Sequence, residues 1–173
     1  MYNAPLFTLW LENREEYQHN RFLADVCGQG QSCSSPGHIS ALCSRAETQV
    51  FKFTRLSVAQ VVAWINRNSE IAHHVQVVHL VRDPRGIYAS RRRVSWCMRE
   101  KECRSAEALC TQMRQDLDAF ENLSGERWLN RKHRVRFEDV ATDPLNKTQG
   151  LFSSLGLDYG SYTTSFLKTP QCC

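Results

Sequence analysis

No apolar run in this 173-residue chain approaches the roughly 18 residues of a membrane-spanning helix. The N-terminus also lacks the basic-then-apolar order of a signal peptide. These two absences exclude a membrane bundle and, taken literally, describe a cytosolic protein. There is no C-x-x-C pair, and the histidines do not fall at zinc-finger spacing, so no metal is expected. A net charge of only +4 and a pI near 8.7, without a basic stripe interleaved with aromatics, do not point to nucleic acid as a partner. Internal repeats and low-complexity segments are absent. Gly28-Gln-Gly30 has neither a strand before it nor a lysine after it, which separates it from a phosphate loop.

What is present describes a folded domain. With 42% hydrophobic and 23% charged residues the chain can bury a core, and its length suits one domain over residues 1–173. The eight cysteines are Cys27, Cys33, Cys43, Cys97, Cys103, Cys110, Cys172 and Cys173, an even number suited to disulfides in an oxidising lumen. Cys97 and Cys103 flank a charged loop that a local bridge would rigidify. The triplets Asn122-Leu-Ser124 and Asn146-Lys-Thr148 are glycosylation-type acceptors. Luminal chemistry without a signal is reconciled by a chain that lacks its natural N-terminus, which is the expectation here.

Leu6, Leu9, Trp10, Tyr17, Leu23 and Val26 suit an amphipathic helix over 5–26, followed by a Gly, Ser and Cys-rich loop over 27–47. A strand is expected at Gln49 to Leu56. Ser57 then caps a helix with the apolar set Val58, Val61, Val62 and Ile65, ending by Asn68. A strand and helix follow at 75–93. Ser105 opens a helix in which Leu109, Met113, Leu117 and Phe120 recur at spacings of three and four. His133 to Phe137 suits a short strand, and Asp143-Pro144 starts a helix that Gly156 ends. The alternation of strand and helix predicts parallel crossover units, hence an α/β fold with helices layered on a parallel sheet.

Val75-Gln-Val-Val-His-Leu-Val81 followed by Arg82-Asp-Pro-Arg-Gly-Ile-Tyr-Ala-Ser90 carries the most chemistry. The first seven residues suit an interior strand of a parallel sheet, covered on both faces. Asp83 is a good N-cap and Pro84 a good first helical residue, so Arg82 falls at the carboxyl end of a strand beside a helix N-terminus that favours anions. Ser90 lies a little over two turns further along, near the same face, at about 3.6 residues per turn. A guanidinium fork and a hydroxyl so arranged can grip one phosphate. The alternative is an Arg82 paired with Asp83 or Glu138 and a Ser90 bonded to its own helix backbone.

Leu80-Val-Arg-Asp-Pro-Arg-Gly-Ile-Tyr-Ala-Ser-Arg91 resembles the motif with which sulfotransferases hold the 3'-phosphate of 3'-phosphoadenosine-5'-phosphosulfate (PAPS). Its wording is nearest to the Golgi carbohydrate sulfotransferases that act on the 6-hydroxyl of galactose or N-acetylglucosamine. Phe51-Lys-Phe-Thr-Arg-Leu-Ser57 and Val135-Arg-Phe-Glu-Asp-Val-Ala-Thr-Asp-Pro144 resemble an upstream and a downstream family element, so the motifs span roughly 50–157 in the family's order.

The resemblance implies a three-layer, P-loop-nucleotide-hydrolase-like fold, PAPS as co-substrate without a metal, and donor contacts from Arg82, Ser90 and Lys52. It also implies an acidic or sulfated glycan acceptor, as in keratan-type chains, and a Golgi lumen protein whose membrane anchor lies outside this chain. Thr54 stands where cytosolic relatives carry a catalytic histidine, which favours the carbohydrate branch. No Gly/Ser-rich loop for the 5'-phosphosulfate precedes Phe51, so the expected base and that loop are not found and the catalytic residues stay unassigned. Two rivals remain: a non-catalytic nucleotide- or glycan-binding pseudoenzyme, and a secreted disulfide-rich interaction protein. Arg91-Arg-Arg93 with Arg99, Lys101 and Arg104 forms a basic run, either a solvated helix end or a groove for an acidic glycan. Glu138-Asp139, taken as adjacent strand-end carboxylates facing opposite ways, does not suit glycoside hydrolysis.

Overall fold

The computed structural model describes residues 37, 41, 44–54, 56–125 and 131–169, apart from the side chains of Trp96 and Glu102. The chain divides into two compact units, Met1–Phe53 and Thr54–Cys173. The helix expected over 5–26, most of the loop after it, and Cys27, Cys33, Cys43, Cys172 and Cys173 lie outside the described residues.

In the first unit, residues 44–53 are exposed and belong to no strand. The strand expected at Gln49 to Leu56 does not form, although Phe51 and Phe53 stack with ring centroids 6.4 Å apart. Alternation puts both rings on one side of extended chain, but a strand also needs a hydrogen-bonded neighbour, and the described residues supply none.

The second unit is built from a helix α1 (Val58–Arg67), a strand β1 (Val77–Val81), helices α2 (Pro84–Arg91), α3 (Ser95–Met98) and α4 (Ala106–Glu121), a strand β2 (Lys132–Arg136), and helices α5 (Phe137–Thr142), α6 (Pro144–Leu155) and α7 (Ser161–Lys168). Short 3-10 turns lie at Ala72–His74 and Glu102–Arg104. The strands pair in parallel, Val77 opposite Lys132 through Val81 opposite Arg136, and a helical crossover joins them.

Helix α1 starts where a capping box closes: the Ser57 hydroxyl accepts the Gln60 N–H at 3.2 Å and the Gln60 side chain accepts the Ser57 N–H at 2.8 Å. The Asp116 carboxylate on α4 accepts the Val58 N–H at 2.8 Å, so a second helix also serves this end. At α4 the Ser105 hydroxyl accepts the Ala108 N–H at 3.1 Å, a one-sided cap. Gly156, at φ 69°, ends α6 in the left-handed conformation that a side chain resists, and the Leu157 N–H returns to the Phe152 carbonyl at 2.8 Å.

The core joins Val58, Ile65, Ala72, Phe120 and Leu123, with Val61, Val62, Val75, Val77 and Ala119 packed around them. β2 reads Lys-His-Arg-Val-Arg, an unusually basic strand. Its cations answer the carboxyl end of α4: the Lys132 ammonium donates to the Phe120 and Glu121 carbonyls at 3.3 Å each, and Arg134 pairs with Glu121 at 2.7 Å. Both also lie over the Phe120 ring, at 5.5 and 5.0 Å. His79 of β1 meets that ring from the other strand, 5.2 Å between centroids, and burial pushes its imidazole below its usual pKa.

Besides the strand that does not form, the sheet differs from the expectation in its cover. Only Val77, His79 and Val81 of β1 turn inward, whereas Val78 and Leu80 remain 42% and 60% exposed, so among the described residues one face of the strand is open. Three elements carried no clear signal. α3 is a single turn, α5 follows β2 without a loop, and α7 is a short segment rich in Ser and Thr.

Ile65 is fully buried, so Ile65→Ala should cost about 2 to 5 kcal/mol. Ser57→Ala should cost about 1 kcal/mol through the lost cap. Urea unfolding followed by circular dichroism measures both, and an Ile65→Ala loss below about 1 kcal/mol would contradict this core.

Candidate functional site

The site grows from the register of the two strands. Val81 is opposite Arg136, so the residues leaving the sheet at its carboxyl edge, Arg82–Asp83 and Phe137–Glu138, emerge side by side. The Arg82 guanidinium lies over the Phe137 ring, 4.2 Å from its centroid. The Asp83 N–H donates to the Glu138 carboxylate at 2.8 Å. That bond holds the Glu138 carboxyl below its usual pKa range, since ionisation strengthens the acceptor. Two stretches singled out separately in the sequence therefore clamp each other through two adjacent contacts. Glu138 and Asp139 belong to the first turn of α5 and not to a strand end.

Asp83 caps α2 as expected, with its carboxylate 2.8 Å from the Arg85 N–H and Pro84 at the helix start. It also forms an ion pair with the Arg85 guanidinium, at 2.6 Å. These contacts lower its pKa to about 2, the Arg85 side chain contributing most. One expectation changes here. The N–H groups at the start of α2 already face a resident carboxylate, so an incoming anion would meet Arg82 and Ser90 more than a bare helix end.

Neither carboxylate proposed as an alternative partner for Arg82 takes it. Asp83 is engaged by Arg85 and Glu138 by the Asp83 N–H, and no described carboxylate pairs with the Arg82 guanidinium. Gly86 gives it room: a Cβ there would stand 3.2 Å from Arg82 Nε. The guanidinium thus lies against α2 at Gly86, and Ser90, four residues on, occupies the same face about 6 Å along the axis. Ser90 is exposed, and among the described residues its hydroxyl has no hydrogen-bond partner. Lys52, the third candidate, is exposed in the irregular chain of the first unit and lies on no strand.

Phe137 and Gly86 were not singled out from sequence. Gly86 has a legible signal after the fact, because a glycine four residues after an arginine and four before a serine leaves one helix face bare between them. Phe137 has none without the strand register. Among the described residues no group of three or more His, Cys, Asp or Glu side chains could hold a metal, and no helix is long and apolar enough to cross a membrane.

A family model described as Sulfotransferase family matches residues 10–161, most of the chain and the whole of this site. The chain belongs to the sulfotransferase family. It is also 32% identical over 108 residues to human carbohydrate sulfotransferase 1, a match covering 55% of this chain and 26% of that protein. The chain therefore aligns with about a quarter of its curated relative. No solved structure matches. As a sulfotransferase family member with a parallel pair of strands and flanking helices, the chain has the expected α/β architecture.

The Asp83 cap gives this site a pH signature. An unperturbed aspartate titrates near 3.8 and Asp83 near 2, so its stabilisation is fully present above about pH 4 and is lost as pH falls through about 2. The protection factors of the Arg85 and Ile87 amides, measured against their intrinsic exchange rates, should fall over that interval. In Asp83→Asn the exchange should be faster already at neutral pH and the acid step absent.

Proposed function

We propose that this chain provides the donor-anchoring half of a carbohydrate O-sulfotransferase, with PAPS as donor and a sugar hydroxyl as acceptor. The observation that carries the reading is Arg82, a cation without a described carboxylate partner. It is fixed between Phe137 and Gly86 at the carboxyl edge of the sheet, with the Ser90 hydroxyl one turn along the same helix face.

In sulfuryl transfer the acceptor oxygen attacks sulfur, the bond from sulfur to the 5'-phosphate oxygen breaks, and the hydroxyl proton passes to a base. The products are a sulfate ester and adenosine 3',5'-bisphosphate. Positioning governs such a step, because donor and acceptor must lie in line. Arg82 and Ser90 would act at the 3'-phosphate, away from the breaking bond. The planar guanidinium would give two parallel hydrogen bonds to phosphate oxygens, and the hydroxyl a third from the α2 side. That grip distinguishes a 3'-phosphorylated nucleotide from one with a free 3'-hydroxyl, whose binding would leave the cation unanswered.

The finer assignments follow the likeness to a carbohydrate sulfotransferase. They are the 6-hydroxyl of galactose or N-acetylglucosamine in an acidic or sulfated glycan of keratan type, and residence in the Golgi lumen. A luminal setting suits the disulfide between Cys97 and Cys103 and the exposed Asn122 and Asn146 of the two glycosylation-type triplets. By the family likeness, Lys52 is proposed as a further donor contact.

Calorimetric titration of the chain with adenosine 3',5'-bisphosphate tests the anchor. Arg82→Ala should lose about 2 to 4 kcal/mol of binding, roughly 30- to 1000-fold. Ser90→Ala should lose about 1 kcal/mol. Gly86→Ala should keep the fold yet bind more weakly, because its methyl group displaces the guanidinium. Adenosine 5'-phosphate should bind wild type and Arg82→Ala alike. Equal affinity of wild type and Arg82→Ala for the bisphosphate would overturn the donor assignment.

A further inference from the structure

Helix α2 has little of its own to hold it in place. It is eight residues long, none of them is buried, and Gly86, whose missing side chain makes room for the Arg82 guanidinium, interrupts it near its start. A helix this short is marginal in water, and an interior glycine weakens it further. Ser90 lies in the last turn, where helices fray. A shared grip on one phosphate nevertheless needs the Ser90 hydroxyl at a fixed distance from Arg82.

The Tyr88 hydroxyl supplies a restraint at that end. It donates to the Arg104 carbonyl at 3.1 Å, and among the described residues no other hydrogen bond joins Pro84–Arg91 to a distant part of the chain. Tyr88 and Ser90 stand about 200° apart around the helix, so the tie falls on the face opposite the grip and leaves the grip open.

The acceptor is itself held from both sides. Arg104 directly precedes Ser105, the cap of α4, and α4 is fixed in the protein by its buried Leu109 and Phe120. On the other side a disulfide joins the buried Cys97 and Cys103. Within that turn the Glu100 N–H meets the Cys97 carbonyl at 3.1 Å and the Arg104 N–H the Lys101 carbonyl at 3.2 Å. Support therefore runs from the core through α4 and the bridged turn to Arg104, then through Tyr88 to the last turn of α2.

We propose that Tyr88 is a positioning residue of the nucleotide site: its hydroxyl, bound to the carbonyl of a disulfide-braced turn, holds Ser90 where it meets the 3'-phosphate that Arg82 binds. This deepens the donor reading and rests on it. Arg82 keeps anchors of its own in Phe137 and Gly86, so loss of the tie acts on the Ser90 share of binding alone. The Cys97–Cys103 bridge thereby bears on the site although neither cysteine belongs to α2.

The test is calorimetric titration of the whole chain with adenosine 3',5'-bisphosphate. Tyr88→Phe removes the hydroxyl and retains the ring, over which the Arg92 guanidinium lies 6.0 Å from the centroid. It should bind the bisphosphate roughly threefold more weakly and adenosine 5'-phosphate as the parent does. In a Ser90→Ala background the same substitution should have no effect, because the group it positions is gone. C97S/C103S should weaken bisphosphate binding by a similar factor and add nothing to Tyr88→Phe. Unchanged bisphosphate affinity in Tyr88→Phe, or an equal loss with and without the Ser90 hydroxyl, would sink the positioning role. Should the cysteine variant fail to fold, the Tyr88 and Ser90 cycle decides alone. Equal binding by Arg82→Ala and the parent would instead remove the donor reading, so the two failures are distinguishable.

Discussion

Two strands in parallel register determine what this protein can hold. Because Val81 stands opposite Arg136, the chain leaves the sheet twice at the same edge, and the next residues of each strand meet: Arg82 with Phe137, Asp83 with Glu138. A slip of one residue would reverse the face of every side chain on the slipped strand and separate both pairs. The register is held from behind. Lys132 and Arg134 bind the carboxyl end of α4 and cover Phe120, while His79 meets the same ring from β1. The buried ring is thus the gauge against which the strands are set, and the site at their carboxyl edge inherits its geometry from a contact on the core face.

Adjacent opposite charges would ordinarily neutralise each other, and an arginine next to an aspartate is poor material for an anion site. Here the two are kept apart by prior commitments. Asp83 spends its carboxylate on the start of α2 and on Arg85, and its N–H on Glu138. Arg82 is turned toward an aromatic face and a glycine, which offer it packing without a countercharge. A cation–π contact is weak beside an ion pair with a phosphate, so it orients the guanidinium without satisfying it. The arrangement leaves one fork-shaped donor with a fixed direction.

Much of this was legible in the residues. Ser57, Ser105 and Asp83-Pro84 mark helix starts by local chemistry that tertiary context rarely overrides, and Gly156 marks an end because its left-handed backbone suits no other residue as well. The site was half legible: Arg82 and Ser90 follow from strand, cap and helical period. Phe137 and Glu138 belong to the site through register, which couples positions 55 residues apart and leaves no local trace. Where local pattern stood alone it misled. Phe51-Lys-Phe alternates like a strand, yet alternation describes one chain while a strand is a property of two. The open face of β1 has the same origin, since an apolar run reports affinity for cover without naming what supplies it.

Helix α2 is flanked by two kinds of positive charge that answer to different physics, Arg82 before its cap and a run of cations after its last turn. Arg82, half-buried and fixed against Phe137, acts at contact distance, where selectivity depends on the fork matching a phosphate and salt screens little. Arg92, Arg93, Arg99, Lys101 and Arg104 are exposed, so their attraction reaches about a Debye length, near 8 Å at physiological ionic strength, and fades as salt is added. An interaction of the first kind depends on the shape of an anion, and one of the second kind on its charge alone. The two settings are not interchangeable: an exposed arginine at position 82 would lose the direction that Phe137 and Gly86 give it, and burial of the other cations would carry a desolvation penalty. The two kinds of charge stand at opposite ends of one short helix, which fixes the distance between them.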